Sequence, residues 1–292
     1  MISIRRDLVK AAVLAKGVLG GSTDLVAEFL SSQIIPDGGF KGRSDESDLY
    51  YTMFGVEAMV AVFPEFSCQQ AAEFLHQFED KLDSMEMVDV ACYLRSMADV
   101  SDDFSFSEAG RFLEAFSTPD GGYNIDRSAE KGTAYGCFLA LGAFQDSGLE
   151  VPCADGIIEC INSLKTSSGG YSNEYGMTAG LTPSTVAAVG VLHFLGAEVG
   201  DDTIDWLLAR VNPEGGFLAM ENAPVADLLS TATALYALSL AGTDISNLRE
   251  RCLDFVDSLW DGKGGFCGNS FDKVCDCEYT FYGLLALGLL SS

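Results

Sequence analysis

Apolar residues are concentrated in six segments of the chain, and each segment is apolar on almost every side of a helix. The segments are rich in alanine and glycine and lack the strict apolar–polar alternation of a half-buried strand. Helices that are apolar all round are typical of an inner layer that is covered by neighbours. The six segments are 47–63, 87–100, 132–144, 182–196, 227–242 and 278–290.

A more polar helical segment precedes each apolar one, as at 201–211 and 247–259, and a Gly-Gly-aromatic turn joins the two. Successive turns lie 46, 48 or 49 residues apart, except for a gap of 83 residues after the first. That gap is about two periods long, so we predict that a repeat near 81–84 has lost its glycines. The five intact turns are 36–40, 119–123, 168–171, 213–217 and 263–266.

Six helix pairs can form an open solenoid or a closed ring. An open solenoid needs polar capping repeats at its ends, whereas the last segment here ends in the apolar run GLLALGLL. Closing the ring onto the first pair would cover that run. We therefore predict an all-α fold, an (α/α)6 toroid that forms a single domain over 1–292. An N-terminal helix over 1–20 precedes the repeats, which we place at about 21–63, 64–100, 101–144, 150–196, 197–242 and 245–292.

The net charge and the cysteine content limit the classes of binding partner and the cellular compartment that we expect for this protein. The net charge is −26, from 43 acidic and 17 basic residues, and such a surface repels nucleic acid and anionic lipid headgroups. Nine scattered cysteines without a CxxC pair favour buried thiols in a reducing compartment. Charges interrupt the first 21 residues, and the last apolar run is too short to cross a bilayer. We therefore predict a cytoplasmic protein with no membrane span and no nucleic-acid partner.

Turns of this kind, each followed by a buried helix at a period near 46, resemble the repeats of protein prenyltransferase β-subunits and of squalene and terpene cyclases. The resemblance is closest to the β-subunit of Rab geranylgeranyltransferase, over GGFLAMENAPVADLLSTATALYALSLAG and GGFCGNSFDKVCDCEYTFYGLLALGLL. It implies a toroid that binds an isoprenoid-like small molecule and pairs with a helical partner subunit. If the chain is an enzyme, the resemblance implies a prenyltransferase-like transferase.

The same resemblance implies a zinc site, because the family holds one zinc ion with an Asp and a Cys of one repeat and the His of the last. Carried over to this sequence, these ligands fall on Asp227, Leu229 and Tyr279. A leucine cannot bind zinc, so we predict that the triad is degraded. The family's diphosphate-binding Arg and Lys fall near 219–222 and are missing as well.

A compensating zinc site would use Asp227, Asp276, Cys275 and Cys277, which precede two neighbouring inner helices. Carboxylates and thiolates form a plausible zinc set. The alternative is that Asp276 caps its helix and that the two thiols only pack. Among these residues, Asp227, Asp276 and Tyr279 are the catalytic candidates.

A second pair of catalytic candidates comes from the cyclase branch, which uses an aspartate in a DxDD motif as its acid. The nearest match here is DESD, in which Asp45 and Asp48 precede the first inner helix. Helix capping is the favoured explanation of these acids, because Asp and Ser are preferred at the N-cap.

Aromatic residues at helical spacing predict the wall of a central cavity. Convergent N-termini of the inner helices would favour an anionic head group at one end. We expect the tail of a ligand against Tyr51, Phe54, Tyr135 and Tyr236 and its head near basic residues of the loops. Ordinary core packing would explain the same aromatic residues. The predicted ligand-binding set is Lys41, Arg43, Tyr50, Tyr51, Phe54, Lys131, Tyr135, Tyr236 and Tyr282.

Three functional hypotheses follow. The first is a prenyltransferase-like protein whose aromatic cavity holds an isoprenoid or a similar amphiphile. The second is a non-catalytic toroid that acts as a scaffold or partner subunit. The third is a carbohydrate-active toroid, which would need two carboxylates roughly 5–10 Å apart.

Overall fold

The inner helices begin at residues whose side chains cap them. The carboxylates of Asp48, Asp227 and Asp276 and the hydroxyl of Thr133 each accept a hydrogen bond from the backbone N–H three residues later. This bond satisfies one of the N–H groups that a helix leaves unpaired at its start. Capping therefore fixes where four of the six apolar segments enter the helical conformation.

The computed structural model of the chain describes residues 3–63, 65–101 and 104–291. Within these residues the fold is helical, and strand pairing is limited to isolated bridges. Two 3-10 helices occupy Gly20–Ser22 and Glu79–Ser84. The α-helices are α1 (Ile4–Val13), α2 (Lys16–Leu19), α3 (Thr23–Gln33), α4 (Leu49–Val62), α5 (Gln69–His76), α6 (Met87–Val100), α7 (Ala109–Glu114), α8 (Ala134–Asp146), α9 (Ala154–Ser163), α10 (Thr182–Phe194), α11 (Asp201–Leu208), α12 (Leu228–Leu240), α13 (Arg249–Ser258) and α14 (Cys277–Ser291).

The six apolar helices form a closed ring. Each packs against the next in the order α4, α6, α8, α10, α12 and α14, and α14 packs back against α4. The more polar helices α3, α5, α7, α9, α11 and α13 pack outside them, one for each inner helix. The predicted all-α toroid is confirmed.

Close backbone packing explains the paired glycines of the turns. Gly38 has a φ of 92°, and a Cβ there would lie 2.1 Å from the carbonyl oxygen of Gln70 in the next outer helix, α5. Gly264 in the last turn has a φ of 113°, and its Cβ would lie 2.0 Å from the carbonyl oxygen of Leu25 in α3. Glycine is the residue that tolerates both conditions. Because the last turn lies on the first outer helix, the outer layer closes as well.

Four of the five turns are also tied to their inner helices by a threonine that the repeat pattern did not reveal, and in the turn 119–123 the sulfur of Cys137 takes its place. The backbone N–H of Phe40 donates to the Thr52 hydroxyl (2.9 Å), and that of Phe217 donates to the Thr231 hydroxyl (2.9 Å). Tyr171 and Phe266 make the same bond. At 79–84 a 3-10 helix replaces the Gly-Gly-aromatic turn. The structure thus has a distinct turn where the sequence analysis placed the degenerate repeat.

Helix α1 crosses one end of the ring. The predicted single helix over 1–20 is two helices here, and α1 packs against α14, α4 and the end of α8. The backbone N–H of Ile4 donates to the Gln145 side chain (2.9 Å), and Tyr236 donates to Asp7 (3.0 Å). Helix α1 therefore closes the ring at the end where the inner helices terminate. No helix in the described ranges is long and apolar enough to cross a membrane.

Replacing Gly288 by alanine should loosen this closure. A Cβ at Gly288 would lie 1.9 Å from the carbonyl oxygen of Ala11, so α1 must move away from α14. We expect a loss of about 1–3 kcal/mol in the free energy of unfolding, measured by urea denaturation. Gly142→Ala is the matched control in another inner helix, because its Cβ would meet no atom within 4 Å. Equal stability of the two variants would contradict the described packing of α1.

Candidate functional site

The inner helices enclose a cavity of about 300 Å³ along the axis of the ring. All six contribute side chains to its wall, and α1 covers one end with Ile4, Arg5 and Leu8. The open end therefore lies at the N-terminal ends of the inner helices, where the ring of Tyr135 is 37% exposed. The cavity is a blind pocket with a mouth and a floor, and its size is at the lower end for small-molecule sites.

The predicted aromatic wall is largely present. Tyr50, Phe54, Tyr135, Tyr236 and Tyr282 all line the cavity. Aromatic contacts hold part of this wall: the rings of Tyr50 and Phe54 meet edge-on with centroids 5.0 Å apart, and those of Phe54 and Tyr282 are tilted with centroids 5.4 Å apart. The wall is mostly apolar, so it suits a molecule that buries hydrocarbon surface.

Tyr51 lies elsewhere, although it belonged to the same predicted set. Its ring packs over Gly42 in the loop before α4, where a Cβ would come within 2.3 Å of the ring. It is not among the residues that line the cavity. Neighbouring residues on a helix point about 100° apart, so Tyr50 and Tyr51 cannot both face the axis.

Arg43, predicted near the head of a ligand, is held by two carboxylates. Its guanidinium lies 2.7 Å from Asp272 and donates to Asp276 at 3.2 Å. It also lies over the Tyr279 ring, 5.7 Å from the centroid. These contacts hold the last loop against the first and leave Arg43 outside the cavity lining.

The two predicted lysines also have acidic partners. Lys41 is 3.6 Å from Asp45, whose side chain is fully exposed. Lys131 is 4.0 Å from Asp120 and lies over the ring of Tyr175, 5.1 Å from its centroid. Neither lysine lines the cavity. The structure therefore leaves the three predicted cations on the loops around the mouth.

A carboxylate that the sequence analysis missed lies near the mouth. The Tyr50 hydroxyl donates to Glu278 at 2.7 Å. Burial raises the pKa of Glu278. Glu278 is the second residue of α14, and Tyr50 and Tyr135 are the second residues of α4 and α8. Comparing the same position in every repeat would have identified Glu278 as a neighbour of the mouth.

Five charged side chains, which we call the floor cluster, lie at the closed end and were also missed. Arg95 in α6 donates to both carboxylate oxygens of Glu57 in α4. Arg5 in α1 donates to Asp99 and Asp146, at the ends of α6 and α8. The sequence did contain a sign of this cluster, because Glu57 is the one charged residue of the apolar helix α4 and a buried charge requires a partner.

Burial shifts two acids of the floor cluster, Asp99 and Asp146, toward their neutral forms. It raises the pKa of Asp99 to about 8 and that of Asp146 to about 6, although the two arginines oppose the rise. One oxygen of Asp99 is buried with no hydrogen-bond partner among the described residues. An unpaired charged oxygen is costly in a dry interior, so protonation of Asp99 is favoured there.

Comparison with protein-family models matches the prenyltransferase alpha-alpha toroid domain over residues 19–150 and 186–292. The chain belongs to this family. The stretch between the two matched segments, 151–185, contains α9 and the start of α10, which the structure places in the same ring as the other pairs. A comparison with curated protein sequences found no match.

Solved structures of three different kinds share the toroid. A Candida albicans protein geranylgeranyltransferase-I, complexed with GGPP, is 16% identical, with a TM-score of 0.69 over 91% of this chain and 90% of that one. A type II terpene cyclase from Scytonema, in complex with merosterolic acid A, is 14% identical, with a TM-score of 0.65 over 94% and 97%. An inactive α-1,6-mannanase of Salegentibacter, in complex with α-1,6-mannotriose, is 11% identical, with a TM-score of 0.64 over 93% and 98%. At these identities the likeness shows the fold alone.

In this prenyltransferase toroid, the residues of the proposed compensating zinc site are engaged elsewhere. Asp227 accepts from the backbone N–H and the hydroxyl of Ser230, at 2.7 and 2.9 Å. The Cys275 sulfur lies 3.1 Å from that of Cys267. Burial raises the pKa of Cys277, which favours its neutral thiol. The described residues contain no group of three or more acidic, cysteine or histidine side chains that could hold a metal. The compensating zinc site therefore stays a prediction.

The remaining catalytic candidates have structural partners in the toroid. Asp48 and Asp276 cap α4 and α14, and burial raises the pKa of Asp276. Asp45 is exposed beside Lys41. The Tyr279 ring packs on Gly268 and under Arg43. These residues line the loops above the cavity rather than its interior, and their catalytic roles stay predictions.

Proposed function

We propose that this toroid binds a small isoprenoid-like amphiphile in its central cavity. The observation that carries the proposal is the enclosed, aromatic cavity that all six inner helices line. Burying hydrocarbon there contributes about 0.8 kcal/mol for each CH₂ group. The tail of the ligand would therefore supply most of the affinity.

The volume of the cavity suggests the length of that tail. A CH₂ or CH₃ group is about the size of a water molecule, which occupies about 30 Å³ in the liquid. The cavity volume of about 300 Å³ therefore holds about ten carbon atoms. A ten-carbon tail would fill the space between the mouth and α1. A longer tail would have to project from the mouth or displace α1, so affinity should stop rising beyond ten carbons.

A neutral head group suits the mouth better than a diphosphate. Lys41, Arg43 and Lys131 each have a carboxylate partner, and Glu278 lies beside the mouth. A diphosphate would have to break these pairs and approach Glu278, whereas an alcohol would not. The anionic head group expected from the helix N-termini stays a prediction that the same titration can test.

Calorimetric titration with geraniol, farnesol, geranylgeraniol and geranyl diphosphate tests the proposal. We expect geraniol to bind and the two longer alcohols to bind only slightly more tightly. Geranyl diphosphate should bind more weakly than geraniol. Leu229 lines the cavity near its mouth, so Leu229→Trp should weaken geraniol binding at least tenfold, which is about 1.4 kcal/mol. Leu25→Trp on the outer helix α3 is the matched control. The proposal is wrong if geraniol does not bind, or if Leu229→Trp leaves its affinity unchanged.

A second candidate function, a scaffold or partner subunit, is favoured by the loops around the mouth. Ile125, Tyr175, Met177, Met220 and Phe271 are apolar and 42–80% exposed. Such a rim is typical of surfaces that bind another protein. A helical partner subunit would cover it, and size-exclusion chromatography with light scattering, at endogenous expression levels, would detect such a complex.

The third hypothesis, a carbohydrate-active toroid, has the mannanase as a neighbour in fold. The apolar wall of this cavity favours hydrocarbon over sugar hydroxyls. Titration with α-1,6-mannotriose, alongside the alcohols, compares the two ligand classes directly.

A further inference from the structure

The floor of the cavity presents polar atoms that lack a protein partner. Arg95 uses Nε and Nη2 for Glu57, and its Nη1 donates to no residue in the described part of the chain. The Arg95 side chain is 15% exposed and lines the cavity. Asp146 accepts from Arg5 with Oδ1 (3.0 Å), and no described residue donates to its Oδ2. The floor thus offers both a donor and an acceptor.

The fold brings these atoms to the same end of the cavity. Arg95 lies one helical turn before Asp99 in α6, and Arg5 donates to both Asp99 and Asp146, so the side chains of Arg95 and Asp146 belong to one connected cluster. Tyr282 lines the same cavity, and its hydroxyl makes no hydrogen bond with the described residues. Arg95 and Asp146 therefore form one polar surface at the inner end of an otherwise apolar pocket, whose wall includes Tyr282.

An all-hydrocarbon tail is a poor match for this surface. It would cover the Nη1 and Oδ2 atoms without replacing the hydrogen bonds that water makes with them. A carboxylate at the tail end would approach Glu57 and Asp146, and an ammonium group would approach two arginines. A hydroxyl group both donates and accepts, so one such group can bond to Asp146 and Arg95 together.

We propose that the floor of the cavity is a subsite for a hydroxyl group at the far end of the ligand. The ligand class is then an apolar molecule of about ten carbons with a polar group at each end. This inference rests on the proposed function, because it concerns the same cavity, and it adds the chemistry that distinguishes one amphiphile from another.

Two matched probes test the subsite: 1-decanol and 1,10-decanediol, which have the same chain length. Both are titrated into the purified full-length protein by calorimetry. The diol gives up more hydration than the alcohol, so a purely apolar floor would bind it more weakly. We expect the diol to bind at least tenfold more tightly than the alcohol, because a site built to bond a hydroxyl discriminates strongly against an analogue without one.

Substitutions in the floor cluster test whether the preference for the diol arises at the floor of the cavity. Arg95→Lys retains a positive charge for Glu57 and removes the free Nη1 atom, and Asp146→Asn replaces the acceptor Oδ2 with a donor NH₂ group while Oδ1 can still accept from Arg5. We expect each to reduce the preference for the diol, measured as the ratio of the two affinities, at least threefold. Arg127→Lys is the matched surface control, since Arg127 donates to backbone carbonyls far from the cavity. If Arg95→Lys does not fold, Asp146→Asn provides the result.

The outcomes separate this subsite from the proposed function. Binding of both probes with no preference for the diol, or a preference that both floor variants retain, overturns the subsite and leaves the cavity as a binding site. Failure of both probes to bind overturns the subsite, and failure of geraniol as well overturns the proposed function. A preference for the diol that the floor variants reduce, but that Arg127→Lys leaves intact, establishes the subsite.

Discussion

Replacing Glu57 by alanine should lower the free energy of unfolding by about 3–5 kcal/mol, because it leaves the guanidinium of Arg95 buried without its partner. Glu57 is fully buried, and it accepts from two nitrogens of Arg95. The substitution also removes side-chain volume between α4 and α6. Urea denaturation, followed by far-UV circular dichroism, measures the loss directly.

The double variant Glu57→Leu with Arg95→Met shows whether the cost is that of an unpaired charge. Removing both partners leaves no uncompensated ion, and replacing a buried ion pair by apolar residues of similar size is often neutral or stabilising. We expect the double variant to recover most of the stability that Glu57→Ala loses. If it is as unstable as the single variant, the cost comes from lost packing rather than from charge. The double variant should also abolish the preference of the cavity for a diol.

The ring itself could be predicted from the sequence, because its signals are local and repeated. A Gly-Gly-aromatic turn must lie where backbones approach closely, and a helix that is apolar on all sides must be covered. The apolar end of α14 required a partner, and α4 and α1 supply it. Aromatic residues at equivalent helical positions, such as Tyr50 and Tyr135, identified the wall of the cavity for the same reason.

The charges around the cavity could not be predicted, because their environments depend on contacts between distant parts of the chain. Arg43 meets Asp276, 233 residues later, and Arg5 meets Asp146, 141 residues later. From the sequence, Arg43 was a cation available to a ligand. In the structure it holds two loops together. Glu57 could have been identified from the sequence as a buried charge, since one acid in an apolar helix requires a partner. Its partner, Arg95, could not, because it lies 38 residues away.

The floor cluster should also make the stability of the toroid fall as pH rises from about 5 to about 8. Burial raises the pKa of Asp99 to about 8 from an ordinary value of 3.8, and Glu57 raises it further, while Arg5 and Arg95 oppose the shift. The native state therefore holds a proton that the unfolded state has lost between pH 4 and 8. This contribution is fully present below pH 4 and is lost as pH rises through 8. Burial also raises the pKa of Asp146, to about 6, so Asp146 likewise makes the stability fall as pH rises, but over a lower pH range.

Asp99→Asn should remove most of this dependence, because asparagine resembles the neutral acid and can still accept from Arg5. We expect the variant and the parent to have similar stability at pH 5, and the variant to be the more stable by at least about 1.4 kcal/mol at pH 8, the equivalent of one pKa unit. Urea denaturation at half-unit pH steps measures the difference. Asp45→Asn is the control, since the Asp45 side chain is fully exposed and should leave the pH profile of the parent unchanged. A constant difference between Asp99→Asn and the parent from pH 5 to 8 would mean that Asp99 is ionised throughout. The two arginines would then outweigh its burial, and Arg5 would bind α1 to the floor through a full ion pair at every pH tested.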